Sequence, residues 1–377
     1  MCNATYATST NSAYRQYAFA FEGLETLAVT SEYEPSSELF CAVAQMMHRN
    51  PNLHSILFDC KYAESMSGNW SLVDFLCDTS LDERTVFVWP RLSHLVLRFW
   101  KGDLWQSEEQ VKLLAKFLVA HPRMETLILQ ETCLEDSQGD TAKQLSLAEY
   151  PDSLPSLKRL IGSPRLIAGV LESRAALSSV KRVIDNSEEG FDQDGAKAPY
   201  IDRIMNALDN TPKNQINRLT IEAPQLDREV YARISRIAPQ INFLEFFRPF
   251  VADTTTPNAE GLQCTALNRY ANLEIIGGHI VGDFAAALEC SQQEGILALA
   301  KQVPKIRAVH NGNGRLVTVH RDSNGEVLHL GSSQFLNNED LDWATFDVDW
   351  RHRLVSRREL KKLRGLEESE ELVFVSY

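Results

Sequence analysis

The sequence lacks most of the features by which functional classes announce themselves. Its seven cysteines (Cys2, Cys41, Cys60, Cys77, Cys133, Cys264, Cys290) never form C-x-x-C and are odd in number. Neither a disulfide scaffold nor a zinc ribbon is indicated, and a reducing compartment, cytoplasmic or nuclear, is expected. No apolar run approaches the roughly 18 residues that cross a bilayer. Residues 1–20 carry no basic stretch followed by the apolar core of a secretory signal. Positive charge is in deficit: 38 Lys and Arg face 51 Asp and Glu, a formal net charge of -13. Nucleic acids and anionic membranes both select a basic surplus, so neither is expected as a partner.

Catalytic signatures are missing too. No Gly-x-Ser-x-Gly elbow anchors a hydrolase triad. Gly312-Asn313-Gly314 has valine where a dinucleotide loop needs its third glycine, at position 317, so it reads as a turn. Asp347-Val348-Asp349 stands in an acidic tail without a companion motif and reads as solvated loop. Nine histidines give no H-x-x-x-H pair, and His310, His320 and His329 fall on or beside predicted strands, where a surface or capping role is expected. No catalytic residue, cofactor or metal is expected. The competing expectation is an enzyme on a compact α/β fold, whose titratable residues would have to converge at the strand ends.

What is present is repetition. The pattern apolar-x-x-apolar-x-apolar, often with proline two residues before it, starts at Leu24, Leu53, Leu92, Met124, Leu157, Val180, Ile216, Ile241, Leu273 and Ile306. These ten starts lie between 23 and 39 residues apart, an irregular period. Between them run helical patterns: Phe40, Val43 and Met47; Val111, Leu114, Phe117 and Leu118; Ile201, Ile204, Met205 and Leu208; Val230, Ile234 and Ile237. Ser107-Glu108-Glu109-Gln110 has the form of a capping box, and Pro51, Pro122, Pro239 and Pro304 close helical stretches.

One helix, one turn and one short strand cannot bury their apolar residues alone, but stacked neighbours can. The expected fold class is therefore α/β: a leucine-rich-repeat-like solenoid with parallel strands on a concave face and helices on a convex one. A doubly wound α/β domain is the other arrangement that alternates these elements. The expected organisation is an N-terminal extension over 1–20, the solenoid over 21–310, and a C-terminal cap with an acidic tail over 311–377. The cap begins with a hairpin predicted from Leu316–His320 and Val327–Leu330 around Asn324-Gly325.

Strand alternation sends the first, fourth and sixth pattern residues inward and the third, fifth and eighth outward. The outward columns read His94 and Val96, Thr126 and Ile128, Arg159 and Ile161, Arg182 and Ile184, Arg218 and Thr220, Phe243 and Glu245, with Arg98 just past its strand. This makes an arginine ribbon inside an acidic protein, with Val96, Ile128, Ile161 and Ile184 as an apolar floor. Arginine forks pair bidentately with carboxylate or phosphate, so the expected ligand is an acidic or phosphorylated segment of a partner protein. If both faces of the sheet are covered, the floor is core instead and the sheet is not open.

The Pro-x-Leu-x-x-Leu-x-Leu strands resemble the leucine-rich-repeat region of fungal F-box-type proteins. So do Leu157-Lys158-Arg159-Leu160 leading into Gly162-Ser163-Pro164-Arg165-Leu166, and the run Pro304–His310 followed by the Arg321–Glu326 turn. The resemblance spans about residues 20–330 and implies a substrate receptor, whose repeats hold a target while an F-box docks on a ubiquitin-ligase adaptor. An F-box opens with a Leu-Pro-x-Glu-like helix start. None is visible before Leu24, so an adaptor is expected as partner only if an F-box is missing from this chain.

Overall fold

The computed structural model describes residues 3–7, 22–31, 37–60, 76–78, 85–101, 107–132, 145–173, 179–182, 199–210, 216–222, 228–247, 267–278, 280–282, 285, 288, 290–310, 315–331 and 334–335. They belong to two compact units: residues 1–241 with 247–254, and residues 242–246 with 255–377.

In chain order the first unit contains β1 (Asn3–Ala7), β2 (Thr26–Ser31), α1 (Ser37–Arg49), β3 (Ser55–Cys60), β4 (Cys77–Asp78), β5 (Thr85–Val86), β6 (His94–Lys101), α2 (Glu108–Ala120), β7 (Thr126–Thr132), β8 (Arg159–Gly162), α3 (Pro164–Leu171), β9 (Ser179–Arg182), α4 (Pro199–Asn210), β10 (Arg218–Glu222) and α5 (Arg228–Ile237). The sheet order is β1-β2-β3-β6-β7-β8-β9-β10, with β4 and β5 forming a separate antiparallel pair. Every neighbouring pair is parallel, and the order follows the chain without reversal.

Register is the informative feature. Leu27, Ile56, Leu95, Leu127, Leu160, Val180 and Leu219 stand opposite one another in one row across seven strands. Where the side chains are described, the first, fourth and sixth pattern residues are buried in every copy. Leu53, Leu92, Leu95, Met124, Leu127, Leu157 and Leu160 are all 0% exposed. Burying a leucine completely contributes about 1.5–3 kcal/mol, so these rows carry the packing between strand and helix.

The prolines work through one turn. The backbone N–H of Leu53, Leu92, Met124 and Leu157 donates to the carbonyl three residues earlier, on Asn50, Trp89, His121 and Leu154, at 2.9 to 3.2 Å. Proline stands next after that carbonyl residue (Pro51, Pro90, Pro122, Pro155), where its fixed φ presets a β-turn. The chain is then locked to its neighbour by a shared acceptor. The carbonyls of Glu25, His54, Ser93 and Glu125 each receive two successive N–H groups from the next strand's start.

Two details differ from the sequence reading. Residues 3–7 lie in the stretch assigned to an extension, yet they pair with β2 in register, Ala4 opposite Leu27 and Tyr6 opposite Val29. Ala4 hides the pattern, because it stands where the other copies carry leucine, isoleucine or valine. Ser107 does precede α2, but its side chain makes no cap bond, and Gln110 Oε1 is buried without a partner. A reciprocal capping box forms instead at Ser291 and Glu294, ahead of a helix in the second unit.

That unit holds β11 (Phe243–Phe247), β12 (Ile275–Gly278), α6 (Gln292–Gln302), β13 (Ala308–His310), β14 (Arg315–Arg321), β15 (Val327–Leu330) and β16 (Gln334–Phe335). β11, β12 and β13 are parallel and keep the same row, Leu244 opposite Ile276 opposite Val309. Then the direction reverses: β14 runs antiparallel to β13, β15 and β16. The hairpin expected around Asn324-Gly325 is present, with Gly325 at φ 86° and Asp322 Oδ1 accepting from the N–H groups of Asn324 and Glu326. Arg321 ties it to α6, donating to the Ala300 carbonyl at 2.6 Å, in the last turn of that helix. The tail beyond Phe335, with Asp347 and Asp349, lies outside the described residues.

Candidate binding site

The outward third-position row in the first unit reads Thr26, Ser55, His94, Thr126, Arg159, Ser179, Arg218. His94, Arg159 and Arg218 are half-buried, whereas Thr126 is 3% exposed. Ser93 Oγ holds the His94 ring at Nδ1, 2.7 Å away, and also bonds the His54 carbonyl at 3.1 Å. This fixes the ring against its own strand start.

Arg182 is the main correction. Val180 stands opposite Leu160 and Leu219, so it is the fourth residue of its copy rather than the first. Arg182 therefore pairs with Gly162, and Ser179 takes the place between Arg159 and Arg218. A displacement of three residues along a strand changes faces, because alternation has period two. The ribbon of three successive arginines becomes two arginines flanking a serine, with Lys181 in the fifth-position row next to Ile161 and Thr220. Ile184 lies outside the described residues.

Adjacent strands are about 4.8 Å apart, so the Arg159 and Arg218 backbones stand roughly 10 Å from each other. Their charges interact. Partial burial, and secondarily the positive charge of Arg159, lower the Arg218 pKa. Arginine stays charged regardless.

The apolar floor is not open. The fifth-position row includes Ala28, Leu57, Val96, Ile128 and Ile161, which are 3%, 4%, 2%, 6% and 5% exposed. Thr220, in the same row, is fully buried. Both faces are covered here, so Val96, Ile128 and Ile161 are core, which is the alternative the sequence left open. Arg98 lies within β6 rather than past it, its backbone between Asp59 and Gln130. In the second unit Phe243 and Glu245 are 3% and 2% exposed, so neither offers an open surface.

A further row escaped the sequence reading: the residue before three of the four turn prolines. Asn50, Trp89 and His121 are 0%, 2% and 1% exposed, and each reaches back toward the preceding copy. Asn50 Oδ1 accepts from Leu24 N–H at 2.8 Å, Trp89 Nε1–H donates to the Met47 carbonyl at 3.1 Å, and His121 Nε2 accepts from Trp89 N–H at 3.0 Å. Its signal is visible once the turn is known, as a large or polar residue at a fixed place in X-Pro-x-apolar.

Among the described residues no three His, Cys, Asp or Glu side chains group as a metal site would require. No helix among them is long and apolar enough to cross a membrane. In comparison with known proteins, no family model matches the chain and no curated protein matches it either.

Proposed function

We propose that the chain is a leucine-rich-repeat-like solenoid that binds a partner protein and has no catalytic centre of its own. One observation carries this reading: the same pattern position stands opposite itself strand after strand, in chain order. A doubly wound sheet reverses its strand order at a switch point. Parallel crossovers are nearly always right-handed. When all of them step to the same side, that handedness collects every connection on one face, which is the strand-side and helix-side division of a repeat array. The resemblance to the repeat region of fungal F-box-type proteins supports the same reading and adds a role as the substrate-receptor arc of a ubiquitin ligase.

The contact surface is narrower than the sequence indicated. It is the half-buried part of the third-position row, His94, Arg159 and Arg218, with the Ser179 backbone between the arginines. An acidic or phosphorylated segment of the partner fits this surface by charge and by the geometry of the arginine fork. The test is affinity capture from a reducing extract with the native chain and with Arg159→Glu/Arg218→Glu. Hydrogen bonds to charged groups contribute about 1.5–3 kcal/mol each, so recovery of the specific partner should fall at least about tenfold. Far-UV circular dichroism should be unchanged, because both residues are only half-buried. Equal recovery would remove this row as the site, and recovery of ligase adaptor subunits with the native chain would support the receptor role.

A further inference from the structure

His121 is 1% exposed, and both of its ring nitrogens are committed. Nδ1 lies 2.6 Å from the Phe117 carbonyl oxygen, which can only accept, so Nδ1 carries the hydrogen. Nε2 lies 3.0 Å from the Trp89 backbone N–H, which can only donate, so Nε2 must be bare. The partners thus dictate one neutral tautomer. Trp89 is held at its other end as well, its indole N–H donating to the Met47 carbonyl. The Trp89 turn is therefore clamped between the C-terminal ends of α1 and α2. Packing reinforces the clamp: the His121 ring lies 4.2 Å from that of Phe117 and 6.0 Å, stacked, from that of Trp89.

Asn50 occupies the same place one proline turn earlier and makes the same two bonds. Its Nδ2 donates to the Met46 carbonyl four residues back, as His121 Nδ1 does to Phe117, and its Oδ1 accepts a backbone N–H from the preceding copy. The two side chains do one job, but only one of them titrates.

From this geometry we infer that His121 is an acid-sensitive latch: a proton on Nε2 sets N–H against N–H, releases the Trp89 turn, and parts α2 from it. Burial already lowers the His121 pKa, and the Phe117 bond offsets this only in part. The stacked rings recover some of the charge's cost, but they cannot accept from Trp89 N–H. The surrounding charges do not favour the proton. His48 and Arg49 end α1, Arg91 lies in the Trp89 turn, Arg123 follows His121, and all four are exposed. On α2 the charged groups Glu108, Glu109, Lys112 and Lys116 are exposed as well. Because the folded pKa lies below the unfolded value of about 6.5, the latch contributes fully above that pH. Its contribution is lost as pH falls from there toward the folded pKa.

The test uses the full chain at pH 7.5 and pH 5.5, above its sequence pI of about 5.2. The native chain should show a red-shifted tryptophan emission at pH 5.5, absent from the Trp89→Phe difference, and a lower Tm. His121→Asn, copying the Asn50 arrangement, should hold its emission and lose less Tm between the two pH values. Equal responses in the native chain and His121→Asn would overturn the latch. Should His121→Asn fail to fold, site-resolved amide exchange in the native chain decides. Corrected for intrinsic rate, exchange at Trp89 N–H should rise as pH falls below 6.5, by up to about tenfold per pH unit. Exchange that stays level would overturn it equally.

Discussion

Replacing Leu127 with alanine is expected to cost about 3–4 kcal/mol, near the upper part of the range for a fully buried leucine. Leu127 is 0% exposed, and its backbone stands between Leu95 and Leu160 in the row that recurs across seven strands. Truncation leaves a cavity that neighbours on both sides must collapse to fill, and both are held by their own rows. In a repeat array, stability is close to a sum of unit and nearest-neighbour terms. The lesion should therefore loosen β7 together with β6 and β8 before it unfolds the remainder. Urea denaturation by circular dichroism should show the midpoint falling, with a broadened transition. Leu328→Ala is the contrast: at 63% exposed, it should change stability by no more than about 0.5 kcal/mol.

Gly169→Ala should destabilise by about 1–3 kcal/mol, although alanine is the better helix former by about 1 kcal/mol. Gly169 sits inside α3, against the segment at Leu145. A methyl group there would come within 2.5 Å of the Leu145 carbonyl oxygen and 2.7 Å of its Cγ. The oxygen is backbone, so no rotamer change relieves the clash. The Gly169 carbonyl also accepts from Leu147 N–H at 3.3 Å, which holds that segment in place. Gly282→Ala separates sterics from propensity, since nothing lies within 4 Å of its added methyl group. A thermal melt should show Gly282→Ala equal to or above the native chain and Gly169→Ala several degrees below it.

The parts of the fold legible in the sequence are those set by short-range chemistry. Pro51, Pro90, Pro122 and Pro155 mark turns because the ring fixes φ, and the apolar residues after them are buried because alternation leaves them one face. Asn324-Gly325 marks a hairpin for a similar local reason. What was hidden depends on neighbours. At β9 the sequence offers two overlapping apolar pairs, Leu177-x-x-Val180 and Val180-x-x-Val183, and only pairing with β8 and β10 selects the fourth position for Val180. That choice moves Arg182 out of the candidate row and brings Ser179 in. Val96, Ile128 and Ile161 were placed in the correct row, but alternation cannot say whether the second face of a sheet is covered. The reach-back residues Asn50, Trp89 and His121 were invisible because each is a different residue type, and only their shared place in the turn unites them.

The most direct test of in-register stacking is a pair of engineered crosslinks at β9. Paired backbones on adjacent strands fall within the 4.4–6.8 Å Cα separation, roughly, that a disulfide spans. Arg159→Cys with Ser179→Cys should therefore form a disulfide under mild oxidation, identified by peptide mass mapping. Arg159→Cys with Arg182→Cys, three residues out of register, should not. The opposite outcome, crosslinking at 182 and none at 179, would contradict the register on which both the proposed repeat architecture and the candidate site rest.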